Sequence, residues 1–75
     1  MAIARKLERT TLERNTQQTE LRRCTYAILS NPDGKYLQID SYGSATRKFP
    51  EGKSQSIRFS PEAISQLREI LAKEF

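Results

Sequence analysis

Histidine is missing from all 75 positions of the chain, and with it the usual base of a serine nucleophile and a common metal ligand. The serines are scattered, so no Ser–Lys pair can be assembled from their spacing. The carboxylates stand beside basic residues or at a predicted helix start, which leaves an acid–base pair without support. Cys24 is the only cysteine, so no disulfide can form within the chain, and the usage fits a reducing compartment. A lone thiol in an apolar segment is read as a small core side chain. Gly34, Gly43 and Gly52 are too far apart to cradle a phosphate. No apolar run is long enough for a membrane span, and none follows Met1-Ala-Ile-Ala as a signal peptide would require. The expectation is a chain that is not an enzyme, with no metal, cofactor, small-molecule substrate or membrane segment.

What the chain does carry is positive charge, unevenly placed. Thirteen basic residues stand against nine acidic ones, a formal net charge of +4. Between Lys35 and Arg58 five basic residues face two acidic ones, whereas from Phe59 to Phe75 two basic residues face three acidic ones. A basic stretch inside a small chain is a footprint for a polyanion.

The local patterns predict an α+β fold, a curved antiparallel sheet of about four strands followed by one C-terminal helix. Residues 1–20 read as an N-terminal arm, with a weak edge strand around 5–13, and residues 21–75 as one domain. Cys24-Thr-Tyr-Ala-Ile-Leu29 is rich in strand-forming residues, and so is Lys35-Tyr-Leu-Gln-Ile-Asp-Ser-Tyr42. Asn31-Pro-Asp-Gly34 between them predicts a hairpin: proline pre-sets φ for a type I turn, and glycine takes the left-handed position that closes the hairpin with a bulge. Period-two alternation puts Leu37, Ile39, Ile57 and Phe59 inward, and Tyr36, Gln38, Asp40, Tyr42, Ser56 and Arg58 outward. Ser60-Pro61-Glu62 opens a helix with a capping hydroxyl, a proline suited to the first turn and a carboxylate at the positive end of the dipole. The helix is amphipathic, with Glu62, Gln66, Glu69 and Lys73 on its outer side. Its stripe is wide for one small sheet, and Leu67, Ile70, Leu71 and Phe75 form a candidate interface with a second copy. A chain this short buries little surface on its own, and self-association is the staple left to it.

The outer sheet face and the long connection after it combine exposed rings with positive charge, the pairing that holds single-stranded nucleic acid. Tyr36 and Tyr42 are the stacking candidates. Lys35, Arg47, Lys48, Lys53 and Arg58 are the phosphate candidates.

The stretches PDGKYLQID, YGSATRKFPEGK and SIRFSPEAISQLREIL together resemble the C-terminal domain of the transcriptional coactivators called positive cofactor four. The likeness spans about residues 23–72. It implies a homodimer formed through helices and sheets, with single-stranded DNA crossing the basic sheet face. Lys53 matches a basic residue that the family places before its last strand, and Tyr42 falls near the aromatic that closes its second strand. The chain differs in having no tryptophan there, and Asp40-Ser41 stands where the family tends to carry a basic residue.

The functional expectation is a single-stranded nucleic-acid-binding homodimer, DNA before RNA, with little sequence preference. Its setting would be intracellular, cytoplasmic or nucleoid-associated. The rival is a phage or bacterial accessory module that docks on a larger protein through a sheet edge or the helix stripe. A third reading is a protein that recognises structured RNA by shape.

Overall fold

The computed structural model describes residues 2–44 and 53–75. Four strands and one helix follow in the order β1 (Ala2–Ala4), β2 (Leu21–Asn31), β3 (Gly34–Ser44), β4 (Lys53–Phe59) and α1 (Pro61–Glu74). They form one open α+β sheet ordered β1-β4-β3-β2, with the helix C-terminal to it. The β2–β3–β4 part is antiparallel, as expected. The sheet as a whole is mixed, because β1 runs parallel to β4, pairing Ala2 with Ile57 and Ala4 with Phe59.

The hairpin forms where the turn residues predict it. Pro32 and Asp33 make a two-residue connection between Asn31 and Gly34, which pair directly. The expected bulge at Gly34 is not there, since the β2–β3 register runs unshifted from this pair to Leu21 and Ser44. The irregularity lies instead between β3 and β4, at Ser41/Tyr42. Gly34 has φ +136°, and a Cβ on it would come within 2.8 Å of Pro61 Cγ. Backbone conformation and close approach therefore both require glycine here.

The edge strand expected around 5–13 is a three-residue strand at Ala2–Ala4. It ends where β4 ends: the Ser60 N–H donates to the Ala4 carbonyl at 3.0 Å, and β4 then gives way to the helix. The chain beyond Ala4 follows the helix. Arg5 lies 3.9 Å from Glu62, and the Leu7 N–H donates to Gln66 Oε1 at 2.8 Å while Gln66 Nε2 donates back to the Leu7 carbonyl at 3.3 Å. Arg9 donates to Glu74 at 2.7 Å. The helix side read as solvent-facing thus carries the first part of the arm, residues 5–9.

The cap of α1 is as predicted. Ser60 Oγ accepts from the Ala63 N–H at 3.2 Å, Pro61 opens the helix, and Glu62 and Lys73 sit at the ends that favour their charges. The Phe75 N–H donates to the Leu71 carbonyl and closes the C-terminus.

The core sits at the junction between strand and helix, and it is small. Tyr36 and Ala63 are the buried apolar side chains among the described residues, with Ser60 buried beside the same junction. Cys24, expected in the core, is exposed on β2, because it alternates with Tyr26 and Ile28 onto the open face of the sheet. The alternation groups the predicted residues correctly, but the expected inward row is not a buried one. Leu37, Ile39 and Phe59 are half-buried and Ile57 is exposed, while of the expected outward row Tyr36 is buried and Gln38, Asp40, Tyr42, Ser56 and Arg58 are half-buried. Cross-strand pairing puts Leu37, Ile39, Ile57 and Phe59 on one face together with Ile28 and Tyr26. That face is open: Tyr26 is 76% exposed, Ile28 59% and Ile57 39%. The face carrying Tyr36 is the one that receives the chain junction.

Candidate nucleic-acid interface

Register decides which side chains can act together, because directly paired residues project from the same side of a sheet. Tyr36, Gln38, Asp40 and Tyr42 alternate along β3, and their partners on β2 are Leu29, Ala27, Thr25 and Arg23. On β4, Arg58 pairs with Gln38 and Ser56 with Asp40. One face therefore runs from Tyr36 at the helix junction to Tyr42 and Arg23 at the far end.

The far end holds the stacking geometry. The guanidinium carbon of Arg23 lies 4.6 Å from the centre of the Tyr42 ring, a cation–π contact between cross-strand partners. Tyr42 is half-buried and Arg23 is exposed. The middle of the face is a polar ladder. Arg58 donates through Nε at 3.0 Å and Nη2 at 2.6 Å to Gln38 Oε1, and Gln38 Nε2 donates to Asp40 at 3.1 Å. Ser56 Oγ, beside this ladder, is buried and has no hydrogen-bond partner among the described residues.

The near end is closed. Tyr36 is 3% exposed, and its hydroxyl donates to Asp33 at 2.6 Å and accepts from Arg5 at 3.4 Å. The Arg5 guanidinium carbon is 6.0 Å from the Tyr36 ring centre. Arg5 is held above its already high pKa, first by the hydrogen bond to Tyr36 and then by the charges of Glu62 and Asp33. It therefore stays cationic at any working pH.

The residues expected to form a site are divided by this arrangement. Tyr42 and Arg58 share the face, and the Lys53 backbone pairs with Tyr42. Tyr36 shares the face but offers no ring to a base, since the chain junction buries it. Lys35 alternates with Tyr36 and so belongs to the opposite, apolar face. Arg47 and Lys48 lie outside the described residues. In the proposed interface between copies, Leu67 is half-buried, while Ile70 is 40% exposed, Leu71 51% and Phe75 92%.

Two arginines were missed. Arg23 was legible in principle: counting back by twos from Leu29 through Ala27 and Thr25 puts it on the Tyr42 face. Arg5 was not, because only the path of the arm beside the helix brings it to Tyr36. Among the described residues no helix is long and apolar enough to cross a membrane. Compared with known proteins, the chain matches no family model, no curated protein and no solved structure.

Proposed function

We propose that the chain binds single-stranded nucleic acid, DNA in preference to RNA, on the face that carries Tyr42, Arg23 and Arg58, and that it works as a homodimer and not as an enzyme. The observation that carries this reading is the Arg23 guanidinium stacked on Tyr42, with Arg58 two rungs along the same face. A stacked arginine and tyrosine give an unpaired base a flat surface, and the cations neutralise phosphates and release their counterions. Neither contact depends strongly on which base is present, so the expected preference among sequences is small. The role would be that of an intracellular factor in transcription or replication, similar to the positive cofactor four coactivators.

The homodimer is supported by surface accounting. The chain exposes 6666 Å², against roughly 4,700 Å² for a folded monomer of this mass. Its radius of gyration is 14.5 Å, against about 11 Å for a compact chain of this length. The open sheet face at Tyr26, Ile28 and Ile57 and the open helix stripe at Ile70, Leu71 and Phe75 are apolar surfaces that a second copy would cover. The same surfaces favour the rival reading of an accessory module docked on another protein.

The test is titration of a fluorescent single strand at rising salt, with light scattering on the same sample. The expected outcome is a dimer whose affinity falls steeply with salt, and a Tyr42→Ala chain that binds more weakly by roughly 1–3 kcal/mol. A dimer that ignores every oligonucleotide would favour the accessory module, and a monomer would remove the second copy.

A further inference from the structure

The ladder across the middle of the proposed binding face does more than add a positive charge. Gln38 is the direct cross-strand partner of Arg58, and its Oε1 takes both Nε–H and one Nη2–H of the guanidinium. Gln38 is itself held through Nε2 by Asp40, at 3.1 Å to Oδ1 and 3.4 Å to Oδ2. A guanidinium carries five N–H donors in a rigid fork. Two are used on Gln38, and among the described residues Arg58 has no other hydrogen-bond partner. The donors left over are the two on Nη1 and the second on Nη2; the latter and one Nη1–H are parallel and form the end-on edge of the fork, while the other Nη1–H points back towards Cδ.

We propose that Gln38, steadied by Asp40, is a positioning residue that fixes the Arg58 fork so that its end-on edge takes a group with two adjacent acceptors on the bound strand. That group is either a backbone phosphate or the N7/O6 edge of an unpaired guanine, both of which match two parallel donors. The inference rests on the single-strand reading above and adds to it a specific contact. A fork already held in place loses little freedom on binding, whereas a lysine at the same position would supply charge without the paired geometry.

The experiment compares the unaltered chain with Arg58→Lys, Gln38→Met and Gln38→Glu. The probes are a fluorescent guanine–thymine repeat, the same repeat with 7-deazaguanine, which lacks the N7 acceptor, and an all-thymine strand. Gln38→Met keeps every charge but removes the acceptor for Arg58. Gln38→Glu restores that acceptor but loses the donor to Asp40 and adds a negative charge, so it is read by its guanine preference and not by its overall affinity. If guanine is the ligand group, the unaltered chain prefers the natural repeat over the deaza repeat by roughly tenfold. Arg58→Lys and Gln38→Met then erase that preference, and Gln38→Glu keeps it. If phosphate is the ligand group, the deaza repeat binds as well as the natural one. Gln38→Met and Arg58→Lys then weaken all three strands alike. The proposal is overturned if Arg58→Lys and Gln38→Met bind every strand as the unaltered chain does. Under that outcome a loss in Tyr42→Ala would leave the single-strand reading standing, whereas an unaltered chain that binds no strand overturns both. Circular dichroism confirms that each variant is folded, and should Gln38→Met fail to fold, Arg58→Lys and Gln38→Glu decide.

Discussion

The two faces of the sheet differ in the opposite sense to their composition. The face with Tyr36, Gln38, Asp40, Tyr42 and Arg58 is polar, yet it contains the most buried aromatic ring in the described structure. The face with Tyr26, Ile28, Ile39 and Ile57 is apolar, yet Tyr26, Ile28 and Ile57 are open to solvent. Burial in this chain follows the junction of β4 and α1, which lands beside Tyr36. The lesson is that an apolar row identifies which residues share a face but not what covers it. A small chain can leave its most apolar surface for another molecule.

Mutations that separate the two faces sharpen this comparison. The largest effect is expected at Tyr36, where replacement by Ala removes the buried ring and its hydroxyl contacts to Asp33 and Arg5. The cost should be roughly 3–5 kcal/mol in urea unfolding. A loss below 1 kcal/mol would mean that the junction is not the core. Next comes Gly34→Ala, which forces a Cβ into a positive-φ backbone and against Pro61. About 1–3 kcal/mol is expected, together with a lower thermal midpoint.

Tyr26→Ser tests the apolar face directly. In the isolated chain a ring this exposed contributes little, within about 0.5 kcal/mol. A loss above that, one that shrinks as protein concentration falls, would show that a second copy covers the face. A comparably small effect is expected at Arg9→Ala. Its ion pair with Glu74 is short, but the Arg9 side chain is 84% exposed, so about 0.2–1 kcal/mol is expected, diminishing with salt. A larger loss would mark the arm as a structural strap and not a surface trimming.

Much of the fold was legible because it is set by short-range chemistry. Asn31-Pro-Asp-Gly34 specifies a tight turn, the alternation through β3 and β4 specifies which side chains share a face, and Ser60-Pro61-Glu62 specifies a helix start. Each depends on residues within a few positions of one another. The candidate site was legible only in part. Tyr42 and Arg58 do share a face, while Lys35 falls on the other and Tyr36 is closed off. The two failures differ in cause: alternation by itself separates Lys35 from Tyr36, whereas it gives relative sides without saying which is covered, and so could not show that Tyr36 is buried.

By itself, then, the sequence determined the hairpin, the capped helix, the grouping of side chains into two faces and the absence of histidine chemistry. Tertiary structure alone decided that β1 joins β4 in parallel and that residues 5–9 run along the helix. It also decided that the Tyr36 end of the polar face is closed, and that Arg5 belongs beside Tyr36. These features are contacts between segments far apart in the chain. No local propensity encodes them, because their free energy appears only once both partners are in place.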